Sequence, residues 1–122
     1  MKSRLLLIDK ETNFRRSLAI DLRQHGFDVW EAGSHFEAEQ LLEQTPFDSI
    51  ILDVEPVFKD WQALVEYIQY RQPDSQLIFT SAFDYSEMYP ILLEWGDRPF
   101  FVKPFKCVDL VRLCRKKAVV FN

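Results

Sequence analysis

Four short apolar runs lead into residues that could do polar chemistry. Arg4–Ile8 ends against Asp9, Ser49–Leu52 against Asp53, Gln76–Thr80 against Ser81, and Phe100–Val102 against Lys103-Pro104. A carboxylate, a second carboxylate, a hydroxyl pair (Thr80-Ser81) and an ammonium are enough to build a small charged site. Singly, each is ordinary. An Asp after a strand is usually a turn or cap residue, and so is a Ser or Thr. A Lys before Pro is usually solvated. Their meaning depends on whether they meet.

The elements that must position them follow from apolar spacing. The four runs above and Phe27–Glu31 are four or five residues long at most and rich in Ile, Leu, Val or Phe. Residues apolar at consecutive positions suit strands buried on both faces of a parallel sheet. Between them lie stretches of helical spacing. Asn13–His25 places Phe14, Leu18 and Leu22 at four-residue intervals, and Gly26 follows as a stop. Ser34 caps a second helix, with Glu37 completing a capping box; this helix carries Phe36, Leu41 and Leu42 and ends before Pro46. Asp60–Tyr70 carries Trp61, Leu64, Val65 and Ile68. Ser86–Trp95 is weaker, because Pro90 must lie in its first turn or break it; Gly96 ends it. Lys106–Ala118 offers Val108, Leu110, Val111, Leu113 and Cys114 to its inner face.

Five β-α units in succession imply an α/β fold with right-handed crossovers and helices on both faces of the sheet. In such a doubly wound sheet, ligands bind beyond the carboxyl ends of the strands, at the switch in strand order. With the order 2-1-3-4-5, the first and third strands are neighbours, and Asp9 lies near Asp53. Four of the five strand ends then present polar groups to one rim.

The chain has 122 residues, 48% of them hydrophobic, which favours one domain and excludes disordered or collagen-like classes. No apolar run exceeds four residues, so no membrane span is expected. Met1-Lys2-Ser3-Arg4-Leu5 leads to Asp9 without the apolar stretch of a signal peptide, and the expected location is the cytoplasm. Fifteen basic against 19 acidic residues give a net charge of −4, which argues against direct nucleic-acid binding. Cys107 and Cys114, about 10 Å apart if helical, are too distant to bridge and read as reduced, buried thiols. His25 and His35 read as surface residues or loop caps, and no Cys/His set has zinc spacing. The three glycines, Gly26, Gly33 and Gly96, are too scattered for a phosphate loop, which disfavours a stand-alone enzyme. The apolar end 118–122 either docks on the domain or leads onward.

Over essentially its whole length, 1–122, the chain resembles the receiver domain of two-component response regulators, a flavodoxin-like (βα)5 fold. Leu5-Leu6-Leu7-Ile8-Asp9, Ile50-Ile51-Leu52-Asp53, Phe79-Thr80-Ser81-Ala82 and Phe100-Phe101-Val102-Lys103-Pro104-Phe105 carry the resemblance, as does the 22-residue step from Ser81 to Lys103. The resemblance implies that Asp53 accepts a phosphoryl group from the phosphohistidine of a sensor kinase or phosphotransfer protein. Lys103 would hold the phosphoryl oxygens. Ser81 would hydrogen-bond them and move. Phe100 would be the switch aromatic, and Lys103-Pro104 would be cis. The domain would be regulatory, at most catalysing its own phosphorylation. It would act on an output domain or partner protein through its fourth helix, fifth strand and fifth helix, with homodimerisation left open.

The chain departs from the family beside Asp9. The second acid, a main magnesium ligand, is replaced by Lys10. Asp9, Asp53, Lys10 and Lys103 sum to zero charge without metal, so the Lys10 ammonium is expected to sit in the cation's place and pair with Asp53. The alternative is that Lys10 points to solvent and Asp9 and Asp53 remain as a weakened Mg²⁺ site. Glu11 or Glu55 could supply the missing carboxylate, Glu55 being the better placed. In the loop 53–61, Pro56 comes one position early and Trp61 stands where Gly is common. Phe83, Tyr85, Tyr89 and Trp95 cluster around the fourth helix, as core or as an aromatic contact patch. Two functions follow from these residues. One is a phosphorylation-controlled switch. The other is a binding or dimerisation module that works without metal or phosphorylation.

Overall fold

Leu5, Leu6, Leu7 and Ile8 are all buried, which only a strand covered on both faces allows. The computed structural model describes residues 2–96 and 98–119. Its elements are β1 (Arg4–Ile8), α1 (Thr12–Gln24), β2 (Asp28–Ala32), α2 (His35–Gln44), β3 (Ser49–Asp53), α3 (Trp61–Arg71), β4 (Gln76–Ser81), α4 (Tyr85–Leu92), a 3-10 turn (Leu93–Trp95), β5 (Phe100–Val102) and α5 (Cys107–Val119). The strands form one parallel sheet in the order β2-β1-β3-β4-β5. This is the expected doubly wound, flavodoxin-like arrangement.

Alternate strand residues feed two layers. Leu6, Ile8, Ile50, Leu52 and Phe79 pack with residues of α2, α3 and α4, whereas Leu5, Leu7, Ile51 and Ile78 pack with α1 and α5. Removing such a side chain, as in Ile51→Ala, costs about 2–5 kcal/mol. Register then levels the rim. Ile8 pairs with Leu52, and Asp53 pairs with Thr80.

Helix ends are set by local hydrogen bonds. Gly26 (φ 94°) lets the chain reverse after α1. Its N–H donates to Arg23 O at 3.0 Å and the Phe27 N–H to Leu22 O at 3.3 Å, a Schellman closure sealed by the buried Phe27 and Leu22. Ser34 Oγ accepts from the Glu37 N–H at 3.1 Å. The Glu37 carboxylate does not complete the expected box, however; it takes the Gly33 N–H, one residue earlier. A full capping box appears instead at α4, between Asp84 and Glu87.

Several expectations change. Pro90 lies past the first turn of α4 without breaking it; Ser86, whose carbonyl loses its usual donor, is exposed and open to water. The chain then tightens into the 3-10 turn. Phe36 is 69% exposed and Val108 41% exposed, so neither joins the core; Ala38, Leu42, Leu110 and Val111 do. The aromatic cluster divides: Phe83 and Trp95 pack on the core, while Tyr85 and Tyr89 are exposed. Cys107 and Cys114 are free thiols, and only Cys114 is fully buried. His25 caps α1 at the surface, and His35 begins α2 with its ring 3.7 Å from Asp60. Among the described residues no helix is long and apolar enough to cross a membrane. Of the apolar end, residues 120–122 lie outside the described residues.

Candidate functional site

Asp9 follows β1 directly, is 3% exposed, and has its polar groups engaged on every side. Its N–H donates to Ala32 O at 3.1 Å and its carbonyl accepts from Arg15 Nη1 at 2.7 Å. Its Oδ1 accepts from the Glu11 N–H at 2.9 Å and its Oδ2 from Lys103 Nζ at 2.7 Å. Arg15 is itself held by Glu31 at 3.2 Å. It lies so close to Gly33 that a Cβ there would come 2.9 Å from Arg15 Nη1. Sequence reasoning missed Arg15, whose reach to Asp9 depends on how α1 sits over the sheet.

Asp53 is the last residue of β3. Its carboxylate faces Lys103, with Oδ1 3.1 Å from Nζ. That oxygen is buried and accepts no hydrogen bond. The ammonium donates instead to Asp9 and, at 3.4 Å, to Glu11 Oε1. It also lies 4.2 Å from the centre of the Phe14 ring, a cation–π seat. The Lys103 N–H donates to Ser81 O at 2.8 Å, and the following peptide, Lys103–Pro104, is cis.

These contacts set the electrostatics. Burial first, then the charge of Asp9, pushes the Asp53 carboxyl up to about 6 against the opposing pull of Lys103. Burial alone would lower Lys103. The hydrogen bond to Asp9 and the charges of Asp53 and Asp9 outweigh it and hold the ammonium above its ordinary value. Lys103 therefore stays charged, while Asp53 is a carboxylate at neutral pH with one oxygen left uncapped. Such an oxygen can act as a nucleophile toward an electrophilic phosphorus whose charge the ammonium offsets.

The remaining candidates are placed differently. Ser81 is fully buried, and its Oγ accepts from the Phe83 N–H at 3.0 Å, not from Lys103. Phe100 is half-buried, its ring 6.0 Å from that of Tyr85. Lys10 is exposed and forms no ion pair among the described residues. The expected pairing of Lys10 with Asp53 is therefore corrected: Lys103 already fills that role, and Lys10, exposed to solvent, only borders the cleft. Glu55 is turned into its own loop, accepting the Phe58 N–H. Glu11, the less favoured alternative, is the acid that reaches Lys103. The cleft in front of Asp53 measures about 610 Å³ and is bounded by the β3–α3 loop and by Gly33, Ser34 and His35.

A divalent cation is the group the resemblance implies here. The uncapped Asp53 Oδ1 would suit one. Both Asp9 oxygens are taken, however, and the next position carries a cationic side chain. Among the described residues no three acidic, His or Cys side chains are placed to hold a metal ion together. Magnesium requires near-octahedral oxygen ligation. The residues present do not make that donor set.

Comparison with known proteins identifies the family. The response regulator receiver domain family matches residues 5–115, and the chain belongs to it. The response regulator protein PilR of Pseudomonas aeruginosa is 31% identical over 112 residues, 92% of this chain and 24% of PilR. The transcriptional regulatory protein PrrA of Mycobacterium leprae is 30% identical over 117 residues, covering 96% of this chain and 49% of PrrA. The chain thus spans about a quarter to a half of these relatives. Among solved structures, the response regulator TrrA of Thermotoga maritima, in complex with Mg²⁺ and BeF, aligns with a TM-score of 0.78 at 26% identity, over 96% of this chain and 99% of that one. The non-phosphorylated HemR receiver domain of Leptospira biflexa aligns at 0.80 and 27%, over 99% and 98%.

Proposed function

We propose that residues 1–122 form one receiver domain in which Asp53 accepts a phosphoryl group from the phosphohistidine of a sensor kinase or phosphotransfer protein. An Asp53 oxygen attacks phosphorus, the new O–P bond forms as the P–N bond breaks, and the imidazole leaves and takes up a proton. Lys103 offsets the phosphoryl charge. Ser81 exchanges its bond to the Phe83 N–H for one to a phosphoryl oxygen, and Phe100 responds beside it. The altered surface of α4, β5 and α5 then engages an output domain or partner. The domain is a regulatory acceptor, not a turnover enzyme. The observation that carries this reading is the buried, unbonded Asp53 Oδ1 lying 3.1 Å from the Lys103 ammonium.

A second reading rests on Lys10. With a cationic side chain where a metal ligand is expected, the domain serves as a binding or dimerisation module whose state does not depend on metal. A small-molecule phosphodonor with and without Mg²⁺ separates the two. Incorporation that is lost in Asp53→Asn supports the acceptor. No incorporation, together with undiminished partner binding by Asp53→Asn, supports the module.

A further inference from the structure

Trp61 is 1% exposed at the start of α3, and its indole Nε1 donates to Glu55 O at 2.8 Å. Glu55 is two residues beyond Asp53, so this bond fixes the loop that bounds the Asp53 cleft. The same indole packs on two partners. Phe79 of β4 lies 5.8 Å away between ring centres, and Trp95 lies 6.1 Å away at a 58° tilt. Trp95 ends the 3-10 turn that follows α4, and its carbonyl is held by Arg98 Nε at 3.0 Å. Trp95 also carries the other buried side-chain polar atom that is unpaired among the described residues: its Nε1–H has no acceptor. An unpaired buried donor raises the free energy of the arrangement that contains it. The turn therefore has a reason to move once its packing is disturbed.

We infer that Trp61 and Trp95 form a clasp coupling the β3–α3 loop to the C-terminal turn of α4. This is a route to the α4 surface separate from Ser81 and Phe100. Closing or opening the cleft shifts Glu55 O, which tilts the Trp61 indole, and Trp95 must repack against it. The element with two states is the 3-10 turn, with the Trp95 N–H unpaired in one and released to an acceptor in the other. The inference builds on the receiver reading, because it names how that cleft reaches α4. Coupling of this kind is reciprocal, and that makes it measurable without any phosphoryl group.

The test is amide hydrogen exchange on the full chain. Trp61→Phe keeps a ring and removes the bond to Glu55 O. It should speed exchange across residues 91–96 by about threefold or more, and Trp95→Phe should do the same across 54–60. The double variant should show less than the product of the two effects. Trp30→Phe, placed in β2, should change neither segment. Effects confined to each variant's own segment, or multiplying independently, overturn the clasp. If Trp61→Phe does not fold, Trp95→Phe alone decides by its effect on 54–60. Because neither readout uses Asp53, a failure here is distinct from a failure of phosphoryl acceptance.

Discussion

Lys103 Nζ is placed between Asp9 and Asp53 yet donates to Asp9 Oδ2, at 2.7 Å, and to Glu11 Oε1, at 3.4 Å, leaving Asp53 Oδ1 charge-compensated but without a hydrogen bond at 3.1 Å. Asp9, Phe14 and Glu11 together hold the ammonium in that offset position.

Asp53 titrates at about 6 in the folded chain against an ordinary 3.8. Between these values the folded state keeps a proton that the unfolded chain has released. The Asp53 contribution to stability is therefore most favourable below the lower value and is lost as pH rises through the upper one. Asp53→Asn removes this penalty. It should exceed the parent by roughly 1–3 kcal/mol at neutral pH and converge with it below about pH 4. Urea unfolding across that range checks it; a difference that does not vary with pH would overturn the burial argument.

Removing the ammonium should do the opposite. Lys103→Met leaves Asp9 and Asp53 facing each other without a counter-charge. We expect about 3 kcal/mol of lost stability at neutral pH, by analogy with other broken buried pairs. Beryllofluoride affinity should fall at least about tenfold. Calorimetric titration of the parent and the variant gives the second number, and an unchanged affinity would remove Lys103 from the anion site.

Lys10 is exposed, so changing it should barely alter stability, by about 0.5 kcal/mol or less. Lys10→Asp nevertheless turns a cation bordering the cleft into an oxygen donor. Magnesium affinity should rise by about tenfold or more, read by tryptophan fluorescence during a Mg²⁺ titration. Equal affinities would mean that Lys10 has no influence on the cleft.

The cysteines should differ in reactivity. Burial pushes the Cys114 thiol up to about 12, and burial also raises the thiol of the less enclosed Cys107. At mildly alkaline pH an alkylating reagent should label Cys107 first, and Cys114 only on unfolding. Mass spectrometry with and without urea reads the order. Early labelling of Cys114 would place it at the surface.

The frame of the site was readable because it depends on period and strand order. Runs such as Leu5–Ile8 demand burial on both faces, and order 2-1-3-4-5 then brings Asp9 and Asp53 together. What could not be read depends on side-chain direction. Lys10 and Glu11 are adjacent, yet one turns to solvent and the other toward Lys103. Glu55 looked well placed by spacing but is consumed by its own loop through Phe58. Phe36 has the spacing of a core residue but falls on the outer side of α2. Arg15 carries no local signal, because its role needs α1, β2 and Gly33 in place at once.

Asp53 terminates the middle strand of five, bonded to neighbours on both sides, and the very next N–H, that of Val54, is pinned to Thr80 O at 2.8 Å. The Asp53 carboxylate thus stands on a fixed backbone. Whatever message a modification there would convey has to be written in the surrounding connections, the segments that follow β3 and β4, rather than in the strand that carries the residue.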